Sequence, residues 1–173
     1  MNDSAGRERF LVSIDELIDR SATVNGVASL KAFAAEVIGN IDFEDIRDRN
    51  PQDVFAAIDY AWRYLQHYDH AGPKLAVFDP RSEEHGWTSR HTAVLVLTEG
   101  IPFVSESLRL ELNRRNIVIH VLLSSDLTVE RDTNHRLQRM LPATVTADGV
   151  CRRREALVYM EISRVGDPVA RAE

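Results

Sequence analysis

Four side chains within one short stretch, Glu83, Glu84, His85 and His91, could hold a metal. Imidazole and carboxylate bind zinc or iron, and catalytic sites use three such ligands with one position left open. The usual signatures place ligands a helical turn apart, or two apart on a strand. His85 and His91 are six apart, across Gly86-Trp87. Two readings follow: a metal pair, or a loop in which His85 and Trp87 fold back onto a sheet and brace it. His120 lies inside an apolar run and reads as a satisfied or interfacial histidine before a catalytic one. His67 and His70 fall near a helix end, where positive charge is favourable.

The remaining nucleophiles are weakly placed. Ser105, Ser107, Ser124 and Ser125 lack the glycine-flanked turn of a nucleophile elbow. Cys151 precedes Arg152-Arg153-Arg154, a setting able to lower a thiol pKa, but it reads first as an inert thiol in a loop. As the one cysteine in the chain, it cannot form an internal disulfide or a thiolate zinc site. The arginine run reads as a salt-bridged turn, because no aromatic residues interleave it as RNA stacking requires. The eight glycines are scattered, with no two inside ten residues. A dinucleotide loop needs them clustered, so that the backbone can turn tightly against the pyrophosphate, and a Walker loop needs Gly-Lys-Ser/Thr. Neither is here.

Charge points the same way. The 173 residues carry 21 Lys+Arg against 27 Asp+Glu, a net charge of −6. That balance disfavours a nucleic-acid or anionic-membrane binder. The apolar runs are strand-sized, so none spans a bilayer, and the start lacks a signal peptide's basic and apolar regions. The expected location is cytoplasmic.

The elements that would position these residues fall into two parts. Ser13 and Glu16 have capping-box spacing, which predicts a helix over residues 14–23 after a frayed 1–9. A second helix is predicted over 28–38, stopped by Gly39, and a short helical turn over 43–49. Asn50, Pro51 and Asp53 open a third helix running to about residue 68, with Tyr60, Tyr64 and His67 as a second stripe beside its apolar one. That stripe is either a core helix's flank or a docking face. Strands are predicted at 74–78, 92–97, 117–123 and 157–162, with a helix over 103–115. Residues 127–131 continue the third strand past a bend at Ser124-Ser125-Asp126. Asp148-Gly149 suggests a hairpin turn, and Asp167-Pro168 announces a helix that 173 residues leave no room to build. The expectation is a segment of something longer.

One loop stands out. Thr98-Glu99-Gly100-Ile101-Pro102 joins a central strand to a helix, where free N–H groups and the positive dipole end favour a carboxylate. It is either a simple strand–helix turn or a place to hold a small amino acid. From Leu95 through Leu108, and again from Leu112 through Ile119, the chain resembles the strand, Pro-centred loop, helix and second strand of ACT domains, the amino-acid-sensing modules of metabolic enzymes. Phe103 stands where those domains usually carry glycine.

A second resemblance is more specific. Val77-Phe78-Asp79-Pro80, Glu84-His85-Gly86-Trp87, Ser89, His91-Thr92, Pro102-Phe103-Val104, Leu112-Asn113-Arg114-Arg115, Ile119-His120 and Met160-Glu161-Ile162 are similar to the N-terminal region of the large bacterial NAD-dependent glutamate dehydrogenases, over roughly residues 50–168. The resemblance implies a parent enzyme that converts L-glutamate, NAD and water to 2-oxoglutarate, ammonia and NADH. That family's catalytic lysines and dinucleotide loop lie in a distant C-terminal part, so no catalytic, cofactor-binding or metal residue carries over. NAD would belong to the parent, and this segment would need no cofactor.

The implied fold is α+β: N-terminal helices over residues 1–72, an ACT-like (ferredoxin-like) antiparallel sheet with helices on one face over 73–166, and the start of a truncated helix or linker over 167–173. The sheet's long apolar runs need cover on both faces, from the N-terminal helices or a second copy. The implied role is regulation or assembly, with Glu99, Gly100, Ile101 and Pro102 as effector or interface loop. Glu84, His85, Gly86, Trp87, His91, Pro102, Phe103, Asn113 and Arg114 would be its structural motif residues. Implied partners are the remaining domains of the parent, a second copy and an amino-acid effector. Two other readings stay open: a free-standing amino-acid-binding dimer, and a small metal-dependent enzyme built on His85 and His91.

Overall fold

The computed structural model describes residues 3–21, 27–142 and 152–164. The elements are α1 (Asp3–Ser21), α2 (Val27–Asn40), a 3-10 turn (Phe43–Asp45), α3 (Pro51–Leu65), β1 (Lys74–Phe78), α4 (Ser82–His85), β2 (Thr92–Glu99), α5 (Val104–Arg114), β3 (Ile119–Arg131), β4 (Leu137–Leu141) and β5 (Arg152–Ile162). The five strands form one sheet in the order β1-β2-β5-β3-β4, every neighbouring pair antiparallel. Because β2 and β3 both oppose β5, they are parallel to each other. α5 connects them and β5 lies between, which is the split β-α-β unit of a ferredoxin-like fold. The architecture is the expected α+β one, ACT-like, with the N-terminal helices ahead of the sheet.

Both sheet faces are covered, which is why the strands read as continuous apolar runs. Val94, Val96, Val158, Met160 and Ile162 pack with Val104, Leu108 and Leu112 of α5. Those three α5 residues repeat every four positions, a single stripe along the helix. On the other face Leu95, Leu97, Leu123, Val129, Leu157 and Tyr159 share one core with Ile14, Ile18, Phe33, Ile58 and Leu65 of the N-terminal helices.

Several local expectations change. α1 begins at Asp3 rather than near residue 14, and Ser13 lies inside it, its hydroxyl donating to the Arg9 carbonyl at 3.2 Å. The early turn is anchored from outside: the Arg7 guanidinium donates to the carbonyls of Ile38, Gly39 and Ile41 and lies 5.6 Å over the Phe43 ring. It thereby satisfies the orphan carbonyls that end α2. α2 itself continues through Gly39 to Asn40. α3 opens as expected, with the Asn50 side chain accepting from Gln52 N at 3.0 Å and Pro51 at the first helical position. β3 shows no bend at 124–126; it is one strand of 13 residues, paired to β5 along most of its length. Arg152, Arg153 and Arg154 are strand residues of β5, not a turn. β4 has no counterpart among the predicted strands. Cys151, Asp148-Gly149 and Asp167-Pro168 lie outside the described residues. No helix among the described residues is long and apolar enough to cross a membrane.

Candidate functional site

β5 places two carboxylates on the face covered by the N-terminal helices. Glu155 and Glu161 are six positions apart with Leu157 and Tyr159 between them, and alternation puts all four on one side. Both acids are buried, so each must be paired. Glu155 takes two bonds from Arg131 of β3, at 2.6 and 2.7 Å, and one contact from His70 Nε2 at 2.9 Å. Arg131 also donates to the carbonyls of Leu65 and His135, at 3.0 and 3.1 Å, which ties the end of α3 to the β3–β4 turn.

Glu161 is held by more groups. Arg49, just ahead of α3, donates to both its oxygens, at 2.6 and 3.1 Å. The Tyr159 hydroxyl donates at 2.9 Å and the Ser89 hydroxyl at 3.3 Å, and His91 Nδ1 lies 3.2 Å away. With a carboxylate as acceptor, Nδ1 carries the imidazole proton. Burial alone would raise the Glu161 pKa, but these donors, Arg49 foremost, leave it below the ordinary glutamate value. Burial and the neighbouring carboxylate push the Tyr159 phenol well above its usual range. The cluster bounds a cleft of about 280 Å³ between α2, α3, the Trp87–His91 loop and the sheet.

His85 and His91, the candidate metal pair, pack against different partners. His85 stacks on Phe78 of β1, centroids 4.3 Å apart and planes 6° from parallel, and its Nδ1 accepts from Arg81 N at 3.1 Å. His91 stacks instead on His120, at 3.8 Å and 10°, and His120 Nε2 meets the Ser163 hydroxyl at 3.1 Å. Among the described residues no three His, Cys, Asp or Glu side chains converge as a metal would need. Trp87 is buried against His85 and Tyr60. Glu84 is an exposed residue of the short α4, 3.9 Å from His85 Nε2. Gly86 ends α4 at φ +89°, a left-handed conformation suited to glycine. The α3 stripe is occupied within the chain: Tyr60 packs on Phe78 at 4.8 Å, and Lys74 lies 4.0 Å over Tyr64. Lys74 also donates to the carbonyls of Tyr64 and His67, so it supplies the cation at that helix end.

The β2–α5 loop looks outward. Gly100 N donates to the Arg154 carbonyl at 2.8 Å, and a Cβ at Gly100 would lie 2.9 Å from Arg154 Cβ. The loop therefore hugs β5 up to Gly100 and then departs. Ile101, Pro102 and Phe103 are exposed, and Phe103, 72% accessible, sits at φ +66° as the residue before α5. Asn113 and Arg114 lie at the exposed end of α5. Arg114 pairs with Glu111 at 2.7 Å, and Asn113 borders an open groove with Arg109, Asn116 and His120. Arg49, Arg131, Glu155 and Tyr159 are the residues that sequence reasoning missed, as is the convergence of His91 and Ser89 on Glu161. Their signal is an acid on the buried face of an otherwise apolar strand, which demands a basic partner without saying which one.

Comparison with known proteins completes the picture. The family described as "Glutamate dehydrogenase, ACT1 domain" matches residues 33–173. The chain belongs to that family. A NAD-specific glutamate dehydrogenase of Halomonas elongata is 35% identical over 92% of this chain and 10% of its own length. One of Pseudomonas aeruginosa is 37% identical over 76% of this chain and 8% of its own length. This ACT1-family chain thus spans about a tenth of the curated relatives it matches. No solved structure matches it. The ACT1 match begins within α2, so α1 lies ahead of it.

Proposed function

We propose that this chain is a regulatory and assembly segment of a large NAD-dependent glutamate dehydrogenase, coupled to a reaction centre carried elsewhere on the parent. The parent would oxidise L-glutamate to 2-oxoglutarate and ammonia with NAD as acceptor. The observation that carries the role is Phe103. A bulky aromatic held in the left-handed region stores backbone strain, and an exposed aromatic forgoes its burial energy. Both costs are offset if a partner surface covers it. Leu110, 67% exposed, adds a second apolar side chain on the outer side of α5, away from its buried stripe.

In this reading residues 99–103 form the contact loop, and an amino-acid effector would be held between it and the covering surface. His85, Gly86 and Trp87 brace the opposite end of β2, where Phe78 pairs with Ala93. The division into 1–72, 73–166 and 167–173 follows the same logic, with the helical segment as permanent cover for the second sheet face. The test is Phe103→Ser with Leu110→Ser in the complete parent enzyme. Turnover at saturating glutamate should persist, while subunit assembly on a sizing column, or the response to amino-acid effectors, is lost. Unchanged assembly together with unchanged effector response would overturn the proposal.

A further inference from the structure

We infer that the cleft beside Glu161 is a binding site for a small monocarboxylate with a compact apolar body. Its walls come from Val37 and Ile41 at the end of α2, Val54, Ala57 and Ile58 of α3, and Trp87. An apolar cavity of about 150 Å³ takes up benzene. The 280 Å³ here admits a ring with a short side chain.

The polar end defines the headgroup. Both Glu161 oxygens are already occupied by Arg49, Tyr159, Ser89 and His91, so this acid has nothing to offer a ligand cation. What remains is an excess of donors. The Arg49 side chain is 34% accessible, and each of its terminal nitrogens has a second N–H beyond the one given to Glu161. Arg90, exposed on the opposite loop, lines the same mouth. One carboxylate spanning two guanidinium groups matches that pattern. Asp53, in the first turn of α3, also borders the cleft. Its negative charge opposes a second carboxylate, so the site should take a monoanion in preference to a dicarboxylate. The Trp87 indole N–H, buried without an acceptor, belongs to the same wall.

The inference does not depend on the assembly role of the Phe103 loop, and its test separates the two. The whole 173-residue chain is titrated with 3-phenylpropionate, 3-phenylpropionamide and phenylalanine by calorimetry. Binding is mapped by NMR shifts at Val37, Ile58 and the Trp87 indole. Saturable binding of 3-phenylpropionate is expected at about 1 mM or tighter, with the neutral amide weaker by about tenfold. Phenylalanine should bind more weakly than 3-phenylpropionate, because its ammonium would face Arg49 and Arg90. Ala57→Leu, which fills the cavity, should abolish the heat, and Arg90→Ala, at an exposed position, should weaken it by about tenfold. No heat with 3-phenylpropionate, shifts confined to residues 99–110, or undiminished binding in both folded variants would overturn it.

Discussion

Arg131 and Glu155 show how few side chains a fold of this size needs to join its layers. Their two bonds are buried, and the same guanidinium reaches the last turn of α3 and the β3–β4 turn. Removing one partner of such a pair leaves the other charge buried and uncompensated. Arg131→Leu should therefore lower stability by about 3–5 kcal/mol, read as a fall in the urea midpoint. A midpoint within error of the parent chain's would mean that Glu155 is served equally well by His70. The two buried acids differ in kind. Glu155 is closed in by side chains and carbonyls of the fold, whereas Glu161 sits at the edge of a cleft with its arginine partly open to solvent.

At the level of elements, α1 has the clearest consequence. Phe10, Ile14 and Ile18 are buried in the core shared with α2 and α3, and Arg7 caps the end of α2. Each large apolar side chain contributes about 1.5–3 kcal/mol on burial. A chain starting at residue 27 should lose up to about 9 kcal/mol from these three side chains, an upper bound set by the extended-chain reference, enough to unfold a marginal domain. Circular dichroism and dye binding would read this as lost cooperativity and exposed apolar surface. Cooperative unfolding at the original temperature would instead make α1 an accessory. β4, short and at the sheet edge, is held by its ladder with β3 and by the Leu137 N–H donating to the Gln66 carbonyl at 2.9 Å. That contact fastens the edge strand to the end of α3 and leaves less open backbone for unwanted pairing.

For the whole molecule, the acids govern the response to pH. The donors around Glu161 hold it below its ordinary value, and Arg139 and Arg152 bring Glu130 down to about 2. A carboxylate whose folded pKa lies below its unfolded one contributes stability at higher pH and loses it as pH falls through the folded value. Asp45, raised by burial and by Asp42, acts in the opposite sense. The depressed acids outnumber it, so the urea midpoint should be level near neutrality and fall as the pH drops from about 4.5 towards about 2. A midpoint unchanged down to pH 2 would contradict the roles given to these pairs. Among the described residues, α5 and its leading loop expose Ile101, Phe103 and Leu110, while Val12, Leu75 and Val118 are exposed elsewhere.

Periodicity, caps and turn residues carried much of the architecture. Asn50-Pro51, the apolar stripe of α5 and the unbroken run at Thr92 to Leu97 act over a few residues, and neighbouring side chains suffice to decide them. The family was legible too, because motifs such as Glu84-His85-Gly86-Trp87 are contiguous. Ser13 misled because a hydroxyl and an acid at capping spacing also fit a helix interior once Arg7 anchors the preceding turn on α2. β4 was invisible because an edge strand of mixed polarity has no strong alternation. The pairing of Arg49 with Glu161, 112 positions away, belongs to the tertiary structure. So do the parting of His85 from His91 and the cleft that Ala57 helps to leave open. Local sequence sets which groups must be buried or paired; only the packing of helices on the sheet determines which distant groups meet.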